Sequence, residues 1–277
     1  MLERSDVIYR YDGSYDGLLC CVFASFFHNQ RPIDIVCGDG EPTLYETRCI
    51  DTDFAKARRV ENGILNKISE EALELVRRGF LTCHSHKETL ILDFVRLCFR
   101  CGPRAASMLA DDTVSELTLA VRRLEREAHQ YLGFVRFSDA GGALVAEIEP
   151  KNFVLPLLEA HFKDRLPRDA FLIYDRTHAA ALICQRGRSE IISVDAFDTP
   201  SLSPAEREFH ALWKDYCESV AIRERRNPVC QRSHMQKRYW PLLPETDAGA
   251  PASRAELERA LRGGERIGGR LVRAQGE

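Results

Sequence analysis

The residues that could do chemistry are concentrated in a basic segment near the carboxyl end, residues 223–240. It contains six Lys or Arg residues and a single acid, so it carries a charge of +5, whereas the whole chain carries −3. Aromatic and amide side chains are interleaved with these cations. Cations bind phosphates, while rings and amides contact bases, so the composition favours nucleic-acid binding. The alternatives are a solvated basic helix face and a surface that pairs with acidic helices.

Ten residues of this basic segment are the predicted DNA contacts. We expect the cations to bind phosphates, and the two carboxyl-terminal aromatic residues to stack on an unpaired or flipped base. The full set is Arg223, Arg225, Arg226, Asn227, Gln231, Arg232, Lys237, Arg238, Tyr239 and Trp240.

Four residues outside the segment are secondary candidates. Asp175 and His178 flank a predicted hairpin tip, where exposed polar residues often serve function. His129 adjoins apolar helix positions, which is more typical of a structural histidine, and Arg136 could equally pair with a core carboxylate. Because the chain has no Walker, nucleophile-elbow or metalloprotease motif, no catalytic set is predicted.

Two pairs of residues have the spacing of zinc ligands, Cys83-x-x-His86 and Cys98-x-x-Cys101. Cys98 shares an apolar helix face with Phe94, and the pairs lie at different helix ends. We therefore expect a structural role, with no metal and no other cofactor. The pattern Cys-x-x-x-Cys-x-x-Cys of radical SAM iron–sulfur clusters is absent from the sequence.

Composition and periodicity predict an α+β protein. An apolar content of 44% with 29% charged residues, and the lack of a signal peptide or membrane span, indicate a cytoplasmic protein with reduced cysteines. The amino-terminal half, about 1–131, is predicted to be mostly helical. It has a strand at 7–11, a turn at 12–17 and helices at 18–27, 53–61, 69–78, 82–99 and 113–131. The glycine turn could cradle phosphate, but its two aspartates favour a capped tight turn.

The second half, about 132–245, is predicted to form an antiparallel sheet in the order β-β-α-β-β-β. The strands are expected at 133–137, 144–148, 171–174, 179–184 and 191–194, with a helix at 152–162. A last long helix should begin at Ser203-Pro204 and end at Asn227-Pro228, where Asn227 caps a short helix. Its apolar stripe is Phe209, Leu212, Trp213, Tyr216 and Val220. The folded domain is thus 1–245, followed by a flexible tail, 246–277.

The amino-terminal motif YDGSYDGLLCCVF and the carboxyl-terminal motif ERRNPVCQRSHMQKRYWPLLPE together resemble one bacterial family. Its members are DNA-metabolism or DNA-repair proteins of unknown biochemical activity, encoded beside a radical SAM DNA-repair protein and in some cases fused to a uracil-DNA glycosylase-like domain. His129, Ile148-Glu149-Pro150 and Ile173-Tyr174-Asp175 extend the resemblance, which covers about residues 6–245. One departure is Gln236, where the family has proline, which leaves the local backbone looser.

The resemblance implies a DNA-repair accessory protein. Such a protein binds DNA, single-stranded or damaged, and works with a radical SAM or glycosylase-type partner away from membranes. A second hypothesis is an enzyme acting on DNA, a nuclease or base-modifying activity that uses His129, Asp175 or His178. A third is an adaptor in which the basic segment docks an acidic protein. Steep salt dependence would distinguish DNA binding from the third hypothesis.

Overall fold

The fold is described from a computed structural model, which defines residues 5–38, 43–194, 197, 203–225 and 227–246. The chain forms two compact units, the first comprising Met1–Ala128 with Lys151–Val154 and the second His129–Pro150 with Leu155–Glu277. Within the described residues, no helix has the length and apolarity that crossing a membrane requires. Thr246, the first residue of the predicted tail at 246–277, is described and buried, and the rest of that tail lies outside these residues.

The first unit contains a small parallel sheet and a set of helices. Its elements are β1 (Ser5–Tyr11), α1 (Tyr15–Phe27), β2 (Pro32–Cys37), β3 (Glu46–Cys49), α2 (Phe54–Lys67), α3 (Glu70–Phe80), α4 (Lys87–Cys101), a 3-10 turn (Pro103–Ser107) and α5 (Asp112–Phe134), whose last turns belong to the second unit. The helices confirm the predicted helical half, although α4 begins five residues later than expected. Ser69, where the predicted helix at 69–78 begins, caps α3 by accepting a hydrogen bond from the amide of Ala72.

The sheet of the first unit has the order β2-β1-β3, with both pairings parallel. Strands β2 and β3 were not predicted. A charged residue, Asp34, interrupts the apolar run of β2, and β3 has only four, mostly polar residues. The sheet buries Tyr9 completely.

The turn between β1 and α1 is a capped tight turn, as predicted. Ser14 caps the helix by accepting a hydrogen bond from the Gly17 amide at 2.9 Å. Asp12 accepts hydrogen bonds from the amide and hydroxyl of Ser14 and from the hydroxyl of Thr52. These bonds, led by the Ser14 hydroxyl, lower the pKa of Asp12, so the turn already holds an anion of its own.

The second unit is built on a five-stranded sheet. Its elements are β4 (Ser138–Asp139), β5 (Leu144–Ile148), α6 (Leu155–Arg165), β6 (Phe171–Asp175), β7 (Ala180–Gln185), β8 (Arg188–Ser193), α7 (Pro204–Val220), a 3-10 turn (Arg223–Arg225), α8 (Pro228–His234) and a second 3-10 turn (Lys237–Leu242). The α+β class is therefore confirmed.

The sheet has the order β4-β5-β6-β7-β8 and differs from prediction in two respects. First, β5 and β6 are parallel, because α6 carries the chain back before β6 begins; the other pairs are antiparallel. Second, the strand expected at 133–137 does not form, since α5 continues to Phe134. Phe137 instead packs against Phe162 and Phe171, with ring centroids 5.4 and 6.0 Å apart.

Candidate nucleic-acid interface

The basic segment is folded as a 3-10 turn, α8 and a second 3-10 turn. Helix α7 ends at Val220, earlier than the predicted Asn227, because Ala221 adopts an extended conformation. The prediction that Asn227 caps a short helix is confirmed. Its Oδ1 accepts a hydrogen bond from the Cys230 amide at 3.0 Å, so this oxygen is committed to the fold.

Three cations of the segment are exposed and carry no counter-charge from the protein. Arg225, Arg232 and Lys237 are all exposed, and within the described residues none of them forms an ion pair. Arg232 makes a local hydrogen bond from Nε to the Pro228 carbonyl at 3.0 Å. The predicted contacts at Arg226 and at the Arg223 side chain lie outside the described residues. Three predicted cations are thus open to an anion from solution.

The amides of the segment divide into two groups. Gln231 is exposed on α8, and Gln236 is exposed just before the second 3-10 turn. Asn227 is also exposed, but its carbonyl oxygen is used in the cap. Gln231 therefore remains a candidate for hydrogen bonding to a base edge.

The expectation that Tyr239 stacks on a base is wrong for this fold, because its side chain is buried at 2% exposure. Its ring packs edge-on against Tyr131 at 5.1 Å, and its hydroxyl donates to Gln130 Oε1 at 2.8 Å. The Arg238 guanidinium lies over this ring, 4.6 Å from the centroid, and donates to the hydroxyl oxygen at 2.5 Å. Arg238 thus holds a core tyrosine in place.

Trp240 is partly buried next to this cluster. Its indole Nε1 donates to the Met235 carbonyl at 3.1 Å, and its own carbonyl accepts from the Thr246 hydroxyl at 2.6 Å. Thr246 is itself buried. These bonds tie the second 3-10 turn to the end of the described chain.

The structure exposes the predicted apolar stripe of α7 to solvent. The exposed fractions are 63% for Phe209, 44% for Leu212, 36% for Trp213, 57% for Tyr216 and 56% for Val220. The buried residue of the helix is Ala211. The periodicity correctly indicated a helix with one apolar face, but it could not indicate whether the core or the solvent receives that face.

Trp213 is the best-anchored member of this stripe. Its Nε1 donates to Glu245 Oε2 at 3.3 Å, and Glu245 in turn binds Arg136 Nη2 through Oε1 at 2.7 Å. The predicted secondary candidate Arg136 therefore pairs with a carboxylate, the alternative raised for it from the sequence. The Trp213 and Tyr216 rings stack with centroids 5.8 Å apart and planes at 27°.

The structure brings together two of the secondary candidates, Asp175 and His178. The fully buried Asp175 accepts hydrogen bonds from the amides of Thr177 and His178, and its Oδ2 lies 2.7 Å from His178 Nδ1. The His178 side chain is 29% exposed. His129 is exposed on α5 and makes no hydrogen bond to this pair in the described part of the chain.

The four zinc-spaced residues do not form one cluster. Cys98 lies in the core of the first unit, and burial raises the pKa of its thiol to about 12, whereas Cys83 and Cys101 are exposed. His86 precedes the first turn of α4. Among the residues that the structure describes, no three His, Cys, Asp or Glu side chains are arranged to hold a metal ion.

The sequence model of one protein family, DUF4130, described as a domain of unknown function, matches residues 85–245. This range covers more than half of the chain and includes the whole basic segment and α7. A comparison with curated proteins finds no match.

Proposed function

We propose that this chain, which belongs to the DUF4130 family of domains of unknown function, is a DNA-repair accessory protein that binds DNA. In this proposal the basic segment, residues 223–240, provides the phosphate contacts. The protein presents DNA to a partner enzyme of the radical SAM or uracil-DNA glycosylase type.

The observation that carries the proposal is the state of Arg225, Arg232 and Lys237. An exposed cation that lacks a carboxylate partner can neutralise a DNA phosphate, which releases a counterion condensed on the DNA. Some cations elsewhere in the molecule, such as Arg31 beside Asp93, are already neutralised by a protein carboxylate. The basic segment is therefore suited to bind a polyanion without first breaking internal ion pairs.

The nature of the partner enzyme is supported by the resemblance of the two terminal motifs. The segment ERRNPVCQRSHMQKRYWPLLPE, which carries the family resemblance, also contains these three cations. The proposed DNA contacts thus lie within the motif that carries the resemblance.

The proposal is tested by fluorescence anisotropy with labelled single-stranded and duplex DNA over a range of salt concentrations. Replacing Arg225, Arg232 and Lys237 together by alanine should reduce the slope of log affinity against log salt by about 2 to 3, since each phosphate contact contributes about 0.7 to 0.9. A matched control replaces three exposed cations of the first unit, Arg58, Arg104 and Arg122, and should leave the slope unchanged.

Two results would contradict the proposal. Equal loss of affinity in both triple variants would show that total charge, and not the basic segment, governs binding. Failure of the unmodified chain to bind either form of DNA, combined with salt-sensitive binding of an acidic protein, would favour the adaptor hypothesis.

A second candidate function, an enzyme acting on DNA, is favoured by the Asp175–His178 pair. A buried carboxylate that accepts a hydrogen bond from an imidazole fixes the orientation of the ring, as it does beside a general base. The same hydrogen bonds also close the β6–β7 turn. Incubation of damaged oligonucleotides with the purified chain tests this candidate. Turnover that is lost in His178→Ala but retained in the His129→Ala control would support it, and absence of turnover would leave the pair with a structural role.

A further inference from the structure

We propose that the exposed aromatic face of α7, formed by Phe209, Trp213 and Tyr216, is a stacking platform for unpaired bases of single-stranded DNA. The inference rests on the proposed function and deepens it, because it names the form of DNA and moves base contact from Tyr239 to a different helix.

The three aromatic rings are exposed on one face of α7. Spacings of four and three residues place the rings of Phe209, Trp213 and Tyr216 on one helix face, and their exposed fractions are 63%, 36% and 57%. Large contiguous apolar surfaces on a protein mark binding sites. Aromatic rings are suited to unpaired nucleotides, because every base has a π-face and stacking therefore tolerates many sequences.

The Trp213 and Tyr216 side chains are held in place before any base binds. The Trp213 indole is held by Glu245, which is itself held by Arg136, and Tyr216 stacks on the indole. Because these hydrogen bonds and ring contacts already restrict the side chains, little rotamer entropy is lost when a base stacks on them. An exposed ring without such contacts would lose more rotamer entropy when a base stacks on it.

The positive charge of the basic segment lies close to the aromatic face of α7. Helix α7 ends three residues before the basic segment, and helical rise plus chain extension place the Cα atoms of Tyr216 and Arg225 at most about 24 Å apart. Strands of about 4 to 16 nucleotides are the usual site size of comparable folds, so one strand can contact both regions. At 100° per residue, Glu208, Asp215 and Glu218 lie about 100° or more around the helix from the mean direction of the rings. The two nearer carboxylates have partners, since Glu206 Oε1 lies 3.2 Å from His210 Nε2 and Glu245 pairs with Arg136.

This charge complementarity favours nucleic acid over an apolar protein groove. It also selects single strands, because the base faces in a duplex are covered by their neighbours and cannot stack on a side chain until they are flipped out. The occupant inferred for the α7 aromatic face is therefore single-stranded or locally unpaired DNA.

Intrinsic fluorescence provides a direct test, since the chain has only two tryptophans. In Trp240→Phe, Trp213 becomes the sole emitter. Titration with an oligothymidine should quench its emission in parallel with binding measured by anisotropy, and a blunt duplex of equal length should quench it far less. In Trp213→Phe, where Trp240 is the sole emitter, the same titration should produce little quenching.

Affinity measurements sharpen the test. Trp213→Ala and Tyr216→Ala should each weaken single-strand binding about 5- to 150-fold without changing the salt slope, because stacking releases no counterions. Trp213→Phe should retain most of the affinity. Phe54→Ala, which removes a ring that is 74% exposed in the first unit, should have no effect.

Failure of this inference is distinguishable from failure of the proposed function. Binding with an unaltered salt slope, no quenching of Trp213 and full affinity in both alanine variants would overturn the stacking platform alone. Loss of self-association in Trp213→Ala, measured by sedimentation, with DNA affinity intact would assign the α7 face to a protein interface and also overturn it. Absence of any DNA binding would overturn both.

Discussion

Arg31 of the first unit and Arg225 of the basic segment carry the same guanidinium group in different surroundings. Arg31 forms two hydrogen bonds to Asp93, at 2.7 and 2.6 Å, and both side chains are only 17% exposed. Arg225 is exposed and, within the described residues, has no carboxylate partner. A paired, half-buried arginine stabilises the fold, whereas an unpaired exposed cation is available to a ligand.

The aromatic residues of the second unit show the same contrast. Tyr239 is buried between Tyr131 and Phe134, while Tyr216 is 57% exposed on α7. Neighbouring residue types therefore do not distinguish the ring that packs in the core from the ring that meets solvent. Packing against residues distant in the chain does, since Tyr239 contacts Tyr131 whereas Tyr216 stacks on Trp213 of its own helix.

The largest expected difference in the free energy of unfolding is between variants of the two tyrosines. Tyr239→Ala should lower the free energy of unfolding by about 3 to 5 kcal/mol, because it opens a cavity beside Tyr131 and leaves Gln130 without its hydrogen bond. Tyr216→Ala should change it by no more than about 0.5 kcal/mol. Urea unfolding of both variants measures these free energies. Similar losses would mean that the α7 face is buried in solution.

A smaller effect is expected from the cations. Asp93→Ala should cost about 1 to 3 kcal/mol, since it leaves the Arg31 guanidinium half-buried with neither of its charged hydrogen bonds. Arg225→Ala, the matched change on the unpaired side, should stay within about 0.5 kcal/mol. If thermal denaturation shows that Arg225 contributes as much as Asp93, an internal partner must neutralise it and the proposed phosphate contact is lost.

The smallest effect concerns alkaline pH in the first unit. Burial, with a further contribution from Cys101, raises the pKa of the Cys98 thiol from about 9 to about 12. The unfolded chain therefore releases this proton first, so stability is complete below pH 9 and falls as pH rises toward 12, by at most about 1.4 kcal/mol per pH unit. Cys98→Ala should show a shallower decline in urea unfolding between pH 8 and 10. If Cys98→Ala shows the same decline as the unmodified chain, the titration of other side chains causes the loss of stability.

Much of the local structure was predictable from the sequence. The helices of the first half, the Ser69 and Asn227 caps and the tight turn at Asp12 all follow from side chains and backbone groups a few residues apart. The strands β2 and β3 were missed, because a polar interruption and short length hide a strand whose stability comes from pairing with β1.

The candidate site was predictable in position but only partly in detail. The sequence by itself determined that residues 223–240 carry a concentrated positive charge and that α7 has one apolar face, since both depend only on residue order. Only the tertiary structure decided that β6 runs parallel to β5, that Tyr239 is buried and Trp213 exposed, and that Arg136 pairs with Glu245 while Arg225 is exposed. Each of these depends on contacts between residues far apart in the chain, and such contacts leave no periodic trace in the sequence.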